Sequence, residues 1–214
     1  MTSTTNEPIE RTASRSVLRS TPEVGLALQR LPRRQFLGFS GGIGQHVTID
    51  IPLSRTPTST VLAAILGAVE PAAGDKILQV GTGNGYAAAL LAEIAETVWT
   101  IDLVKGRLER AEHLYRALGI NNISLTHGNG YDGLVDEAPF DAILVSTTTS
   151  GVPETLVDQL AVGGRLVVLE PRQRDRAMVR RVRKTAEGET AEELLGIVDM
   201  KSRIGDLLID FDIL

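Results

Sequence analysis

The run Lys76-Ile-Leu-Gln-Val-Gly-Thr-Gly-Asn-Gly-Tyr86 constrains the fold of this chain more than any other stretch. A short apolar strand, Ile77 to Val80, runs into Gly81, Gly83 and Gly85, and a helix rich in alanine and leucine follows. Glycine tolerates positive φ and lets a ligand come close to the backbone. Twenty-one residues after Gly81, Asp102 ends a second apolar strand, Val98 to Ile101. An acid at that place accepts hydrogen bonds from both hydroxyls of an adenosine ribose. Capping of the next helix is the alternative for Asp102, and a turn that needs glycine for packing alone is the alternative for 81–85; the strand before and the acid after favour a cofactor site. A dinucleotide fold carries G-x-G-x-x-G, with a pyrophosphate on the helix N-terminus. Here the third glycine comes one residue early, which suits S-adenosyl-L-methionine better.

The 214 residues suffice for one domain with a sizeable core. Residues 1–15 are polar and Thr/Ser-rich and read as a disordered tail, which leaves 16–214 as a single domain. A net charge of −5 gives no global field for nucleic acid or an anionic membrane. The absence of cysteine excludes disulfides, cysteine–zinc sites and thiol nucleophiles. His46, His113 and His127 form no ligand cluster, so no metal is expected. No apolar run approaches the ~20 residues of a membrane span, and the N-terminus lacks the apolar stretch of a signal peptide. The expectation is a cytoplasmic protein with neither a membrane nor a nucleic-acid partner. Nothing in the sequence sets an oligomeric state.

Helices are expected at Thr21–Leu31, with Pro22 at the first helical position, and at Pro57–Val69, with Thr58 or Ser59 near its start. Between them, Gly38–Gly44 reads as a loop and Thr48–Leu53 as a short edge strand. From Lys76 the pattern turns regular. Strands at 77–80, 98–102, 123–126, 141–145 and 165–169 alternate with helices at 86–96, 104–118 and 153–160. A Thr/Ser loop follows 145, and Gly163-Gly164 make a turn into the last of these strands. Such alternation means βαβ units and a parallel sheet covered on both faces. Residues 177–185 and 191–200 read instead as an antiparallel strand pair closing the sheet. The basic residues Arg172, Arg174, Arg176, Arg180, Arg181, Arg183 and Lys184 lie on that pair. Glu187, Glu189, Glu192 and Glu193 are expected to neutralise them across the hairpin, and such charges discourage edge-to-edge aggregation.

Leu78 to Tyr86 resembles the first motif of class I S-adenosylmethionine-dependent methyltransferases. The continuation is more specific. His127-Gly-Asn-Gly130, Ala138-Pro-Phe-Asp-Ala-Ile-Leu-Val145, Val152-Pro-Glu-Thr-Leu-Val-Asp-Gln-Leu160 and Gly163-Gly-Arg-Leu-Val-Val168 resemble protein-L-isoaspartate O-methyltransferases in order and spacing. Upstream, Ala27 to Phe36 resembles that family's N-terminal segment ending in Val-Pro-Arg-x-x-Phe. The resemblance covers roughly residues 23–200 and implies a Rossmann-like α/β fold: a mostly parallel, doubly wound sheet with an antiparallel C-terminal pair. It implies S-adenosyl-L-methionine as cofactor and S-adenosyl-L-homocysteine as product. The cofactor residues it implies are Gly81, Thr82, Gly83, Asn84, Gly85, Tyr86, Asp102, Leu103, Gly128, Asn129, Gly130 and Ser146. Asn129 would set its amide, both donor and acceptor, at the adenine amino edge.

The chain also departs from the family. A stretch like Gly-Gln-Thr-Ile-Ser-x-Pro is replaced by Ile49-Asp-Ile-Pro-Leu-Ser-Arg-Thr-Pro57, with Arg55 at the serine position and Ser54 one residue off. The alanine-rich loop after the fourth strand is Ser146-Thr-Thr-Thr149, and the acid two residues before the first glycine is Gln79. Ser54, Arg55 and Thr56 are therefore the candidate catalytic residues, and Thr147, Thr148 and Thr149 the candidate acceptor contacts. Arg55 could hold a carboxylate bidentately. A carboxylate nucleophile is ionised at neutral pH and needs no general base, so the lack of an obvious catalytic His or Cys fits carboxyl O-methylation. Three functions stay open: a carboxyl methyltransferase acting on a protein or peptide aspartyl or isoaspartyl group, a diverged biosynthetic relative methylating a small molecule or modified peptide, and a non-catalytic cofactor-binding partner. The rewritten residues 45–57 and 146–149 favour the second, and predict little activity on ordinary isoaspartyl peptides.

Overall fold

The computed structural model of the chain describes residues 18–31, 33–37, 58–173 and 175–200. The expected tail 1–15, the loop 38–44, the edge strand 48–53 and the candidates Ser54, Arg55 and Thr56 lie outside the described residues, as do His46 and Arg174.

Three helical pieces precede the sheet. In α1 (Pro22–Arg30), the Thr21 hydroxyl accepts from the Val24 N–H at 3.4 Å. A short α2 (Arg33–Phe36) follows. In α3 (Ser59–Val69), the Thr58 hydroxyl accepts from the Val61 N–H at 3.3 Å. Packing rather than capping holds α3. A cap contributes about 1 kcal/mol, whereas each fully buried Ile65, Leu66 or Val69 side chain contributes about 1.5–3 kcal/mol.

The sheet has seven strands in the order β3-β2-β1-β4-β5-β6-β7. They are β1 (Lys76–Val80), β2 (Thr97–Asp102), β3 (Ile123–His127), β4 (Phe140–Thr148), β5 (Leu160–Arg172), β6 (Arg176–Lys184) and β7 (Thr190–Asp199). The first five run parallel, β6 is antiparallel to β5, and β7 is antiparallel to β6. Connecting helices are α4 (Tyr86–Ala92), α5 (Lys105–Leu118) and α6 (Glu154–Asp158). Successive strand residues point to opposite faces, which splits the core. Ile77, Val98, Leu144 and Val167 pack with α1, α3, α4 and α5 on one face. Leu78, Ile101, Ile143 and Leu166 pack with Leu156 of α6 on the other.

Four boundaries differ from the sequence reading. Helix α4 stops at Ala92 rather than 96, because Asn122 Nδ2 donates to the freed carbonyls of Ala92, Ala95 and Glu96 at 2.9, 3.3 and 3.3 Å. Helix α6 covers only 154–158 of the expected 153–160. The expected Thr/Ser loop after 145 is strand: β4 runs on through Ser146, Thr147 and Thr148. It pairs with β5 through a bulge, since Leu144↔Val167 and Thr148↔Leu169 set four residues of β4 against two of β5. Gly163-Gly164 is likewise an irregularity inside a longer β5, not a turn before it. A Cβ on Gly164 would meet the Ala161 carbonyl at 2.8 Å and the Phe140 carbonyl at 3.1 Å.

Three arginines on β6 are ion-paired, with partners only partly as expected. Arg180 pairs with Glu170 and Glu192, Arg181 with Glu193 and Glu70, and Arg183 with Glu70. Burial raises the Glu70 pKa, but the hydrogen bond from Arg183 and the charges of Arg181 and Arg183 outweigh it and hold the carboxyl below its ordinary value. Two of these acids come from outside the hairpin, Glu170 on the neighbouring β5 and Glu70 at the end of α3.

Candidate cofactor site

The chain winds from β1 outward through β2 to β3, then returns to β4 on the opposite side of β1. The loops after β1 and β4 therefore leave in opposite directions and open a crevice at the carboxyl ends of the strands. Ligands of open α/β sheets bind at such a switch point. A cleft lies there, lined by Gly81, Thr82, Gly83, Asn84, Tyr86, Asp102, Ser146 and Thr147 among others.

The glycine turn has the backbone that its sequence demands. Gly81, Gly83 and Gly85 have φ of 91°, 59° and 86°, a region that side chains disfavour. Space is short as well. A Cβ at Gly81 would sit 2.8 Å from Thr147 Cγ2, and one at Gly85 would sit 2.8 Å from the Tyr115 hydroxyl. The turn is pinned by Gly81 N–H donating to Ile101 O at 2.8 Å and Gly85 N–H donating to Thr82 O at 2.9 Å. Asn84 Oδ1 accepts from Tyr86 N–H at 3.1 Å and starts α4.

Asp102 closes the turn from the side. Only 5% exposed, its carboxylate would be costly without hydrogen bonds. Oδ2 accepts from Gly83 N–H at 3.1 Å, Oδ1 accepts from Val104 N–H at 2.8 Å, and Arg107 lies 3.5 Å from Oδ1. The acid thus folds back on the start of α5 and also holds the glycine turn. An ionised carboxylate offers about four acceptor positions, so capacity remains at the cleft.

The second glycine turn sits farther out. Gly128 N–H donates to Asp102 O at 3.2 Å, which fastens Gly128, Asn129 and Gly130 beside β2. Asn129 Oδ1 accepts from Tyr131 N–H at 3.2 Å, so this amide builds its own turn. A Cβ on Gly130 would sit 2.3 Å from Val80 Cγ1. None of these three lines the cleft, and neither does Leu103, whose side chain is exposed. The His127 ring donates to Leu103 O at 3.1 Å, a positional contact, and His113 is exposed on α5. Of the candidate acceptor residues, Thr147 lines the cleft. Thr148 pairs with Leu169 in the sheet, and the buried Thr149 donates its hydroxyl proton to Gly151 O at 2.9 Å.

The structure adds residues that the sequence reading passed over. Arg33, buried in α2, donates to Ser59 Oγ and lies 5.9 Å from the Tyr86 ring centroid. It lines the cleft, as does Arg107. The Tyr86 hydroxyl donates to Leu31 O at 3.3 Å, which ties α1 to the floor of the site. The Tyr115 hydroxyl donates to Gly85 O at 2.9 Å, and burial pushes its pKa upward, so it stays a neutral donor. That bond is worth about 1 kcal/mol. Tyr115→Phe is therefore expected to lower the melting temperature by about 2–4 °C. A thermal melt checks this, and an unchanged midpoint would mean that the bond contributes nothing.

Comparison with known proteins converges on one family. The model of the protein-L-isoaspartate(D-aspartate) O-methyltransferase (PCMT) family matches residues 4–199. Protein-L-isoaspartate O-methyltransferase 2 of Geotalea uraniireducens is 35% identical over 170 residues, covering 78% of each chain. Protein-L-isoaspartate O-methyltransferase 1 of Syntrophobacter fumaroxidans is 39% identical over 145 residues, covering 66% of this chain and 68% of that one. One solved protein-L-isoaspartate O-methyltransferase superposes with a TM-score of 0.67 at 23% identity over 87% of this chain, which spans 62% of that protein's length. A Plasmodium falciparum structure of the same description, solved with S-adenosyl-L-homocysteine, superposes with a TM-score of 0.61 at 21% identity, covering 85% of this chain and 89% of that one. At such identities these two superpositions establish the fold alone. The family model spans nearly the whole sequence, the curated relatives pass 30% identity over most of it, and the chain accordingly belongs to the protein-L-isoaspartate(D-aspartate) O-methyltransferase family.

Proposed function

We propose that this chain transfers a methyl group from S-adenosyl-L-methionine to a protein or peptide carboxylate, with an isoaspartyl or D-aspartyl group as acceptor. The observation that carries the reading is the buried Asp102 carboxylate locked onto the Gly83 N–H at the switch point of the sheet. The donor set fits the cofactor. Asp102 accepts from the ribose hydroxyls, and Gly81, Thr82, Gly83, Asn84, Gly85 and Tyr86 let the ligand lie against the backbone. Leu103, Gly128, Asn129 and Gly130 lie outside the cleft, and in this reading the adenine extends past Asp102 toward them, while Ser146 faces the amino-acid end. When bound, the cofactor supplies an electrophilic methyl group on a sulfonium. The protein supplies position and desolvation. An acceptor carboxylate is already ionised at neutral pH, and among the described residues no histidine lines the cleft. Thr147 faces the acceptor, and Ser54, Arg55 and Thr56 stay the candidate catalytic residues of this reading.

Family membership weighs against the biosynthetic and non-catalytic alternatives. The family match at 4–199 runs through the rewritten stretch 45–57, and the relatives named above carry the isoaspartate name. Residues 16–214 act as one catalytic domain. No described helix is long and apolar enough to cross a membrane, and a cytoplasmic place belongs to this reading. The arginines paired along β6 support a partner other than nucleic acid.

The test is methyl transfer from labelled S-adenosyl-L-methionine to an isoaspartyl peptide and to its ordinary aspartyl counterpart. A base-labile ester on the isoaspartyl peptide alone is expected. S-adenosyl-L-homocysteine binding without transfer to that peptide would sink the acceptor, and failure to bind would sink the cofactor site.

A further inference from the structure

We infer that Gln79 sets the direction of a buried hydrogen-bond chain that leaves the Ser146 hydroxyl as a proton donor to a carboxylate in the cleft. The inference rests on the methyltransferase reading above and names a contact within that site. Gln79, Thr82 and Thr100 are buried at 1%, 2% and 0% exposure beneath the glycine turn. The side-chain nitrogen of Gln79 lies 2.6 Å from Gly81 O, 2.7 Å from Ser146 Oγ, and its oxygen lies 2.6 Å from Thr100 Oγ1. Thr100 Oγ1 lies 2.8 Å from Thr82 Oγ1.

Each of these contacts has only one polarity. The Gly81 carbonyl accepts and cannot donate, so the amide group beside it is the NH2 end. The oxygen end then accepts, and Thr100 must donate to it. With that proton committed, Thr100 accepts from Thr82. At the other end the second amide N–H donates to Ser146 Oγ. The Ser146 proton is left over, and among the described residues no acceptor takes it. Ser146 stands in the β4 bulge and lines the cleft. Bulges beside active sites re-aim side chains.

A hydroxyl held as a donor seeks an acceptor, and a charged oxygen gives the stronger bond. Two carboxylates belong at this site: that of the cofactor's amino-acid tail and that of the methyl acceptor. An acid at position 79 would reverse the chain. It would accept the Ser146 proton and turn the hydroxyl's lone pairs toward the ligand. Gln79 is therefore a positioning residue, and the neutral amide at this place has a consequence for binding.

The experiment compares calorimetric affinities for S-adenosyl-L-homocysteine and for 5′-deoxy-5′-methylthioadenosine, which keeps the nucleoside and lacks the tail. It adds the KM for an isoaspartyl peptide. Ser146→Ala is expected to lose about 10- to 100-fold in one arm only, the effect of one hydrogen bond to a charged group. Selective loss for S-adenosyl-L-homocysteine assigns Ser146 to the cofactor's carboxylate. A raised peptide KM with both nucleosides unchanged assigns it to the acceptor's. Gln79→Glu is expected to reproduce whichever pattern Ser146→Ala gives. Should that variant fold poorly by circular dichroism, Gln79→Met removes the donor without adding charge and is expected to show a smaller loss in the same arm. Equal weakening of both nucleosides, no change in any arm, or wild-type behaviour of the Gln79 variants beside a defective Ser146→Ala overturns the inference. A wild-type protein that binds S-adenosyl-L-homocysteine but leaves the peptide unmethylated would instead defeat the proposed acceptor. The nucleoside arm would then decide alone, and absence of a selective loss there overturns the Ser146 assignment.

Discussion

Asp102→Ala is expected to weaken S-adenosyl-L-homocysteine binding by about 100-fold or more, taking about 1.5–3 kcal/mol for each hydrogen bond to a charged group and about 1.4 kcal/mol for each factor of ten. Two losses combine. The proposed acceptor of the ribose hydroxyls is gone, and the Gly83 and Val104 N–H groups lose the acceptor that fixes the turn and the start of α5. Arg107, 3.5 Å from Oδ1, loses its counter-charge at the cleft as well. Asp102→Asn should lose less. Its amide oxygen still accepts from one backbone N–H, while its NH2 end is mismatched with the other. Calorimetric titration separates the cases. An alanine variant that binds as wild type would remove Asp102 from the ribose site and leave it as a helix-start residue.

How much of this was legible in the sequence depended on how locally each feature is specified. The glycine turn was readable because positive φ is a demand on single residues, and 81, 83 and 85 all meet it. Asp102 was readable because it ends an apolar strand at a fixed distance from that turn. The parallel sheet follows from βαβ alternation, and the hairpin β6–β7 from its apolar and charged runs. Features set by pairing across the chain were not readable. The bulge in β4 exists only because β5 spends two residues where β4 spends four, so Ser146 to Thr148 read as a loop. Tyr115 supports Gly85 from 30 residues away, and Arg33 reaches the cleft through Tyr86. No local pattern announces either. Gln79 did stand out, as an amide where the family has an acid. Its meaning needed the positions of Thr100 and Ser146, which the sequence does not place. The hairpin charges were right in kind and partly wrong in partner. The register sets Arg181 opposite Glu193 and Val182 opposite Glu192, while Glu187 and Glu189 fall in the turn past the last register pair, Lys184↔Thr190.

Gly83→Val is expected to abolish cofactor binding, with a loss beyond what calorimetry can follow, while the protein stays folded. The glycine has φ of 59°, and a β-branched residue there is a true outlier. Relief would come from rotating the peptide, and that rotation would take the Gly83 N–H away from Asp102 Oδ2, 3.1 Å distant. One substitution therefore disturbs both the backbone that the ligand is proposed to approach and the acid proposed to hold the ribose. The cost to folding is smaller. Gly83 lies in a surface-lining turn, whereas the strands on either side are held by Leu78, Val80 and Ile101 in the core. A strained residue costs about 1–3 kcal/mol, against a total stability of about 5–15 kcal/mol for a typical domain. Circular dichroism should thus report native secondary structure and a lowered melting temperature. Titration with S-adenosyl-L-homocysteine should report no heat of binding. A folded variant that binds with wild-type affinity would make the glycine turn a packing device and place the cofactor elsewhere.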